Sequence, residues 1–164
     1  MRLSWMFVLA LSAAACGPNS AMIKEAKEAS YPAAPNAMVD VALQVAQRDY
    51  KIGPINIEGH EFATESQWYT PEGKRISPYD DGRGEFINAG GGDVQVTLIV
   101  SVRDLDGQRV VVQIVPKTFQ LVAGSPKPRE LKPDDPYLPP WVLGRANALQ
   151  VAIHEEAKKL FPPR

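Results

Sequence analysis

Apolar and polar residues alternate through residues 93–103. Val94, Val96, Leu98, Val100 and Val102 fall on one side, and Gln95, Thr97, Ser101 and Arg103 on the other, with Ile99 the apolar exception. A period of two over this length predicts an antiparallel strand with one dry face and one wet face. Asp104-Leu105-Asp106-Gly107 is hairpin chemistry, the glycine supplying a positive φ. The return strand carries Val110, Val112 and Ile114 inward. Pro116 then interrupts it, and Phe119 and Leu121 resume in the opposite phase. That change predicts a bulge or a departure from the sheet.

The same period appears upstream with a fault in it. Tyr50 and Ile52 share a face, Ile55 and Ile57 take the other, and Gly53-Pro54 lies at the break. A bulged or edge strand is expected over 50–57. After the turn Glu58-Gly59-His60, Phe62, Thr64, Ser66 and Trp68 alternate against Ala63, Glu65, Gln67 and Tyr69, predicting a second strand over 61–70 and a hairpin.

Two segments show the 3.6-residue period instead. Met38, Val41, Ala42, Val45 and Ala46 form one stripe, with Asn36 as the expected N-cap and Asp40 in the first turn. Val142, Ala146, Leu149, Ile153, Ala157 and Leu160 form another, opened by Pro139-Pro140 and stopped by Pro162-Pro163. Glu155 and Lys159 are placed for an i,i+4 pair. The order is α-β-β-β-β-α. The expected fold is α+β, a four-stranded antiparallel sheet with two helices on one face. The strand order stays open. Two long loops separate the elements. Residues 71–92 hold half of the chain's 12 glycines, and residues 123–140 are rich in proline.

The first residues follow another pattern. Arg2 precedes an almost wholly apolar run over 5–15, which ends Ala13-Ala14-Ala15-Cys16. This is the layout of a secretory signal. Its end resembles the lipobox of bacterial lipoproteins, with Ala13 where that family usually has Leu. The resemblance implies that residues 1–15 are removed and that Cys16 carries diacylglycerol and an acylated amine, a covalent lipid and no other cofactor. Several acyl chains suffice for stable anchoring. Gly17 follows in place of the Asp that retains lipoproteins at the inner membrane, which implies the periplasmic leaflet of the outer membrane. The second reading is an ordinary signal cut near Ala15, leaving Cys16 a free thiol. Residues 16–36, poor in large apolar side chains, read as a flexible tether of ~70 Å maximum reach. Residues 37–164 read as one domain.

Composition narrows the partners. The chain has 164 residues, 18 basic and 19 acidic, a formal net charge of −1 and 1 cysteine. No clustered basic face suggests nucleic acid, and no internal disulfide can form. The 2 histidines, His60 and His154, lack the ligand spacing of a metal site. His60 reads as turn polarity and His154, beside Glu155 and Glu156, as solvated helix surface. Asp80-Asp81 and Asp134-Asp135 read as turns, and no serine sits in a nucleophile elbow. No catalytic or metal-ligating residue is therefore assigned.

The remaining candidate is a surface. Trp68, Tyr69, Tyr79 and Phe86 lie on or beside the first loop with Arg75 and Arg83. Such residues anchor interfaces, and flat aromatics also stack on sugars. The alternative is that Trp68 and Phe86 belong to the core, as Trp141 does. The helix over 38–49, the strand over 50–57 and the run Thr64-Glu65-Ser66-Gln67-Trp68-Tyr69 resemble the helix-grip domains of a small lipoprotein component of the outer-membrane β-barrel assembly machinery. That family has two such domains, and this chain has room for one. The expectation is a non-enzymatic, membrane-anchored module that binds an envelope protein, the alternative a glycan- or solute-binding lipoprotein.

Overall fold

The computed structural model describes residues 17–76, 91–125 and 127–162. It is α+β, with three helices and one antiparallel sheet. The helices are α1 (Ser20–Glu28), α2 (Pro35–Ala46) and α3 (Pro140–Leu160). The strands are β1 (Ile52–Asn56), β2 (Glu61–Thr64), β3 (Gln67–Tyr69), β4 (Val94–Asp104), β5 (Val110–Gln120) and β6 (Arg129–Leu131). The order across the sheet is β1-β2-β4-β5-β6, with β3 following β2 along the same side of β4.

The strand count corrects the expected four to six, for two reasons. The strand expected over 61–70 is broken. Ala63 pairs with Ile99 and Gln67 with Val96, so the near side holds one residue more than β4 between those pairs. The Leu98 amide donates to the Thr64 hydroxyl at 2.9 Å, and the Ser66 and Thr97 hydroxyls meet at 2.8 Å. Side chains thus replace ladder bonds across the bulge. One extra residue exchanges the two faces. Phe62 and Thr64 point into the core, but so does Tyr69, and Trp68 lies on the opposite face. The second reason is β6, a short strand inside the proline-rich loop.

The bulge expected at Pro116 does not occur. Register runs unbroken from Val94↔Gln120 to Asp104↔Val110, and Thr118 continues the buried phase of Val110 and Val112. The Leu98 amide points to Thr64, away from β5, so its partner Pro116 turns its nitrogen to the other edge of β5. There β6 pairs only from Thr118 onward. The missing N–H removes no ladder bond, which is how a proline sits in the strand without breaking it. By contrast, Gly53-Pro54 marks a true irregularity in the edge strand β1, between Ile52↔Thr64 and Ile55↔Phe62.

Helices α2 and α3 cover one sheet face. The stripe Met38, Val41, Ala42, Val45 and Ala46 is buried, as are Val142, Ala146, Leu149, Ile153 and Ala157. Against them lie Val94, Val96, Leu98, Val100 and Val102. At the helix ends the details differ from expectation. Pro35 opens α2 behind Ala34, so Asn36 is inside the helix rather than its cap. Leu160 is exposed. Lys158 pairs with Glu155 and Lys159 with Glu156, both at i,i+3.

The largest correction concerns residues 16–36. From Ser20 this segment is helix and packed chain, not a tether. Asn19 caps α1 by accepting the Met22 amide at 2.9 Å. Ala26 and Tyr31 are buried, and Tyr31 exchanges backbone bonds with Val110 on the outer edge of β5. One turn along, the Gln150 amide donates to the carbonyls of Ala26 and Val112, at 3.2 and 3.1 Å. His154 is 2% exposed, not on the solvated surface. Its Nε2 meets Glu25 at 3.2 Å and its Nδ1 meets the Tyr31 hydroxyl at 2.7 Å. A carboxylate only accepts, so in the neutral ring Nε2–H donates to Glu25 and the Tyr31 hydroxyl donates to Nδ1. Helix propensity in α1 is too weak to act alone over nine residues. These tertiary bonds hold it.

Burial pushes the Tyr31 hydroxyl up to about 12, with Glu25 and Glu155 adding in the same direction. The folded chain favours the protonated phenol. Its contribution to stability is therefore whole below pH 10 and is lost as pH rises through about 12. Tyr31→Phe is expected to lose about 1–3 kcal/mol at pH 7, since it leaves Nδ1 unpaired. It is also expected to flatten the fall in stability above pH 10. Urea titrations at pH 7 and across the alkaline range measure both effects.

Thr118 buries a hydroxyl with no hydrogen-bond partner among the described residues. Thr118→Val is expected to stabilise the fold by about 1 kcal/mol, read as a higher urea midpoint at unchanged slope.

Candidate binding surface

The sheet has one face covered by helices and one face open. The pairing places side chains on the open face in rows across the strands. Trp68, Gln95, Phe119 and Glu130 make one row. Ser66, Thr97 and Lys117 come next, then Ala63, Ile99 and Val115. Ile99 and Phe119 are half-buried and Val115 is 48% exposed. The Lys117 ammonium lies 5.6 Å from the Phe119 ring centre. Between these rows and the bulge is a shallow depression of about 490 Å³, walled by Gly53, Glu65, Ser66, Ile99, Lys117 and Phe119. Its polar groups are hydroxyls, an ammonium and a carboxylate, beside the apolar side chains of Ile99 and Phe119.

A second cluster lies on the helical side, where β3 meets the first turn of α3. The Tyr69 and Trp141 rings stand 5.1 Å apart, tilted at 54°. The Arg145 guanidinium lies over both, 4.5 Å from Tyr69 and 5.6 Å from Trp141. It also donates to the Gly73 carbonyl at 3.1 Å, and Trp141 Nε1 donates to Pro71 at 2.8 Å. Burial raises the Tyr50 hydroxyl nearby, although the Arg145 charge and hydrogen bond oppose it. The chain turns tightly here. Gly73 donates to Thr70, Thr70 to Lys74, and Ile76 to Trp68, bringing Arg75 back beside Tyr69.

The predicted surface residues therefore separate. Tyr69 is buried against Trp141 and Arg145. Trp68, one residue earlier, is half-buried on the open sheet face, and Arg75 is exposed on the returning chain. Tyr79, Arg83, Phe86 and the lipidation candidate Cys16 lie outside the described residues. Sequence reasoning missed Ile99, Val115 and Phe119 as a surface. Ile99 did stand out as an apolar residue on a polar face, and that was the available signal. Reading a phase change at Pro116 hid Phe119. Among the described residues no group of three His, Cys, Asp or Glu side chains is placed to share a metal ion. No described helix is long and apolar enough to cross a membrane.

No family model matches the chain, and no curated protein matches it.

Gly73 is the most constrained position of the helical-side cluster. Its φ is +87°, and a Cβ there would sit 2.9 Å from the Trp141 ring. Gly73→Ala combines backbone strain with displacement of the indole. It is expected to cost more than ~1 kcal/mol and to red-shift Trp141 emission. Chemical denaturation and fluorescence of the Trp68→Phe background check both.

Proposed function

We propose that the protein is a non-enzymatic binding or adaptor module of the bacterial cell envelope, held on the membrane by lipid on Cys16. The lipobox-like end of the apolar leader supports the anchor, and Gly17 after the cysteine supports the periplasmic leaflet of the outer membrane. The observation that carries the binding role is the open sheet face. Trp68 and Phe119 in one row, and Ile99 and Val115 two rows along, place four large apolar side chains there around the polar row of Ser66, Thr97 and Lys117, and no described element covers them. Antiparallel sheets do expose one face to water, and most outward residues here are polar, but four large apolar side chains, two of them aromatic, stand among them. Aromatic and aliphatic side chains interleaved with Glu61, Lys117 and Glu130 have the composition of a protein interface. The second reading is a glycan or small solute in the depression beside Phe119, where aromatic ring and hydroxyls lie side by side.

Photo-crosslinking in cells tests this. A photoreactive residue at Val115 is expected to trap one discrete envelope protein. The same residue at Leu160, exposed on α3, is expected to trap none. Phe119→Glu on the Val115 background should abolish the product. Equal, diffuse products from both positions sink the adaptor reading. Saturable quenching of Trp68 by soluble glycan fragments would replace it with the second reading. Loss of palmitate incorporation in Cys16→Ser checks the anchor.

A further inference from the structure

Acylation of Cys16 has a geometric consequence. Cys16 stands three residues before Asn19, the N-cap of α1, a reach of at most ~11 Å. α1 is pinned to α3 by Gln150 on Ala26 and by His154 on Glu25. A lipid on Cys16 is thereby kept within ~11 Å of the start of α1.

The point of attachment lies at one end of the molecule. Gly17, Pro18 and Ile23 border a depression of about 510 Å³ with Gly73, Trp141 and Arg145. The N-termini of α1 and α3 therefore lie together, at the end where Tyr69 pairs with the start of β4 at Val94. From there the 11 residues of β4 run ~34 Å to Asp104 and the β4–β5 turn. Side chains at the attachment end suit a lipid surface. Leu143 lies on the α3 face of Asn147, Gln150 and His154, about two turns before Gln150, and is 37% exposed. Met22 is exposed to the same extent on α1. Trp141 is half-buried, its Nε1–H satisfied by Pro71, an apolar ring with one polar edge of the kind that collects at membrane interfaces.

We infer that the end bearing Gly17, Met22, Trp141 and Leu143 rests against the lipid headgroups, and that the β4–β5 turn at Leu105 points away from the bilayer. The inference rests on acylation of Cys16 and adds an orientation to it. The occupant of this surface is the bilayer itself, because the attachment is too short to let the opposite end reach it.

The test uses the full-length acylated chain in phosphatidylethanolamine/phosphatidylglycerol vesicles. Acylation blocks the chain's 1 cysteine, so an introduced cysteine is the free thiol. Leu143→Cys and Leu105→Cys, both at exposed positions, are labelled with an environment-sensitive dye and challenged with nitroxide-headgroup lipids. Quenching at 143 is expected to exceed that at 105 several-fold, with a blue shift at 143 alone. A separate measurement leaves this end untouched. After loss of Trp5 with the leader, Trp68 and Trp141 remain of the 3 tryptophans, so Trp68→Phe reports Trp141 alone. Brominated lipids are expected to quench it. Equal quenching at 143 and 105, or an unquenched Trp141, overturns the orientation while leaving the anchor intact. Dye uptake by the parent chain, or failure to float with vesicles, identifies an unacylated Cys16 and overturns both.

Discussion

The outer edge of β5 is the constraint on which the rest of this structure depends. A sheet edge exposes unpaired amides and carbonyls that must be covered or satisfied. β6 covers one end of this edge and the N-terminal segment covers the other. Tyr31 pairs with Val110, and Gln150 caps Val112. Pro116 occupies the gap between them, where its missing N–H harms nothing. The N-terminal segment is therefore part of the fold. Residues 17–33 complete the sheet and supply Glu25 and Tyr31 to His154, and in doing so fix where the chain leaves the domain.

His154 couples these parts. It faces the N-terminal segment from α3, and its two nitrogens bind partners six residues apart in sequence. A buried imidazole satisfied on both sides fixes its ring, and through it the angle of α1 to α3. The Tyr69–Trp141–Arg145 stack does similar work at the other end of α3, tying that helix to the turn after β3. Helix α3 is thus clamped at both ends by polar or aromatic contacts and along its middle by aliphatic packing on the sheet.

What could be read from the residues followed from periodicity. The β4 alternation, the two helical stripes, the Asp104–Gly107 turn and the fault at Gly53-Pro54 are local signals, and each is found where the pattern put it. The errors arose where a side chain or a distant segment intervened. Nothing local tells Thr64 to take over a ladder bond from Leu98, and so the reversal of face at Trp68 was invisible. Pro116 looked like a break because its edge could not be known without strand order. α1 looked like a tether because its own sequence is a weak helix, and only Gln150 and His154, over 120 residues away in sequence, hold it. Both kinds of distant influence bear on the candidate surface. Of the expected aromatics that are described, Trp68 and Tyr69 lie on opposite sheet faces, and the other apolar side chains of the open face come from β4 and β5.

The orientation and the open face bear on one another. With the Gly17 end at the bilayer, the strands run away from the membrane and the open face stands as a wall beside it, ~34 Å high. A partner meeting that wall must itself lie within this height. Anchoring both components to one surface confines their search and raises the effective concentration of each near the other. Had the domain hung on a leash of ~70 Å, the same face would sweep a volume far larger and lose much of that advantage. The packing of α1 against the β5 edge thus serves the fold, and under the proposed acylation of Cys16 it would also shorten the anchor that presents the open face.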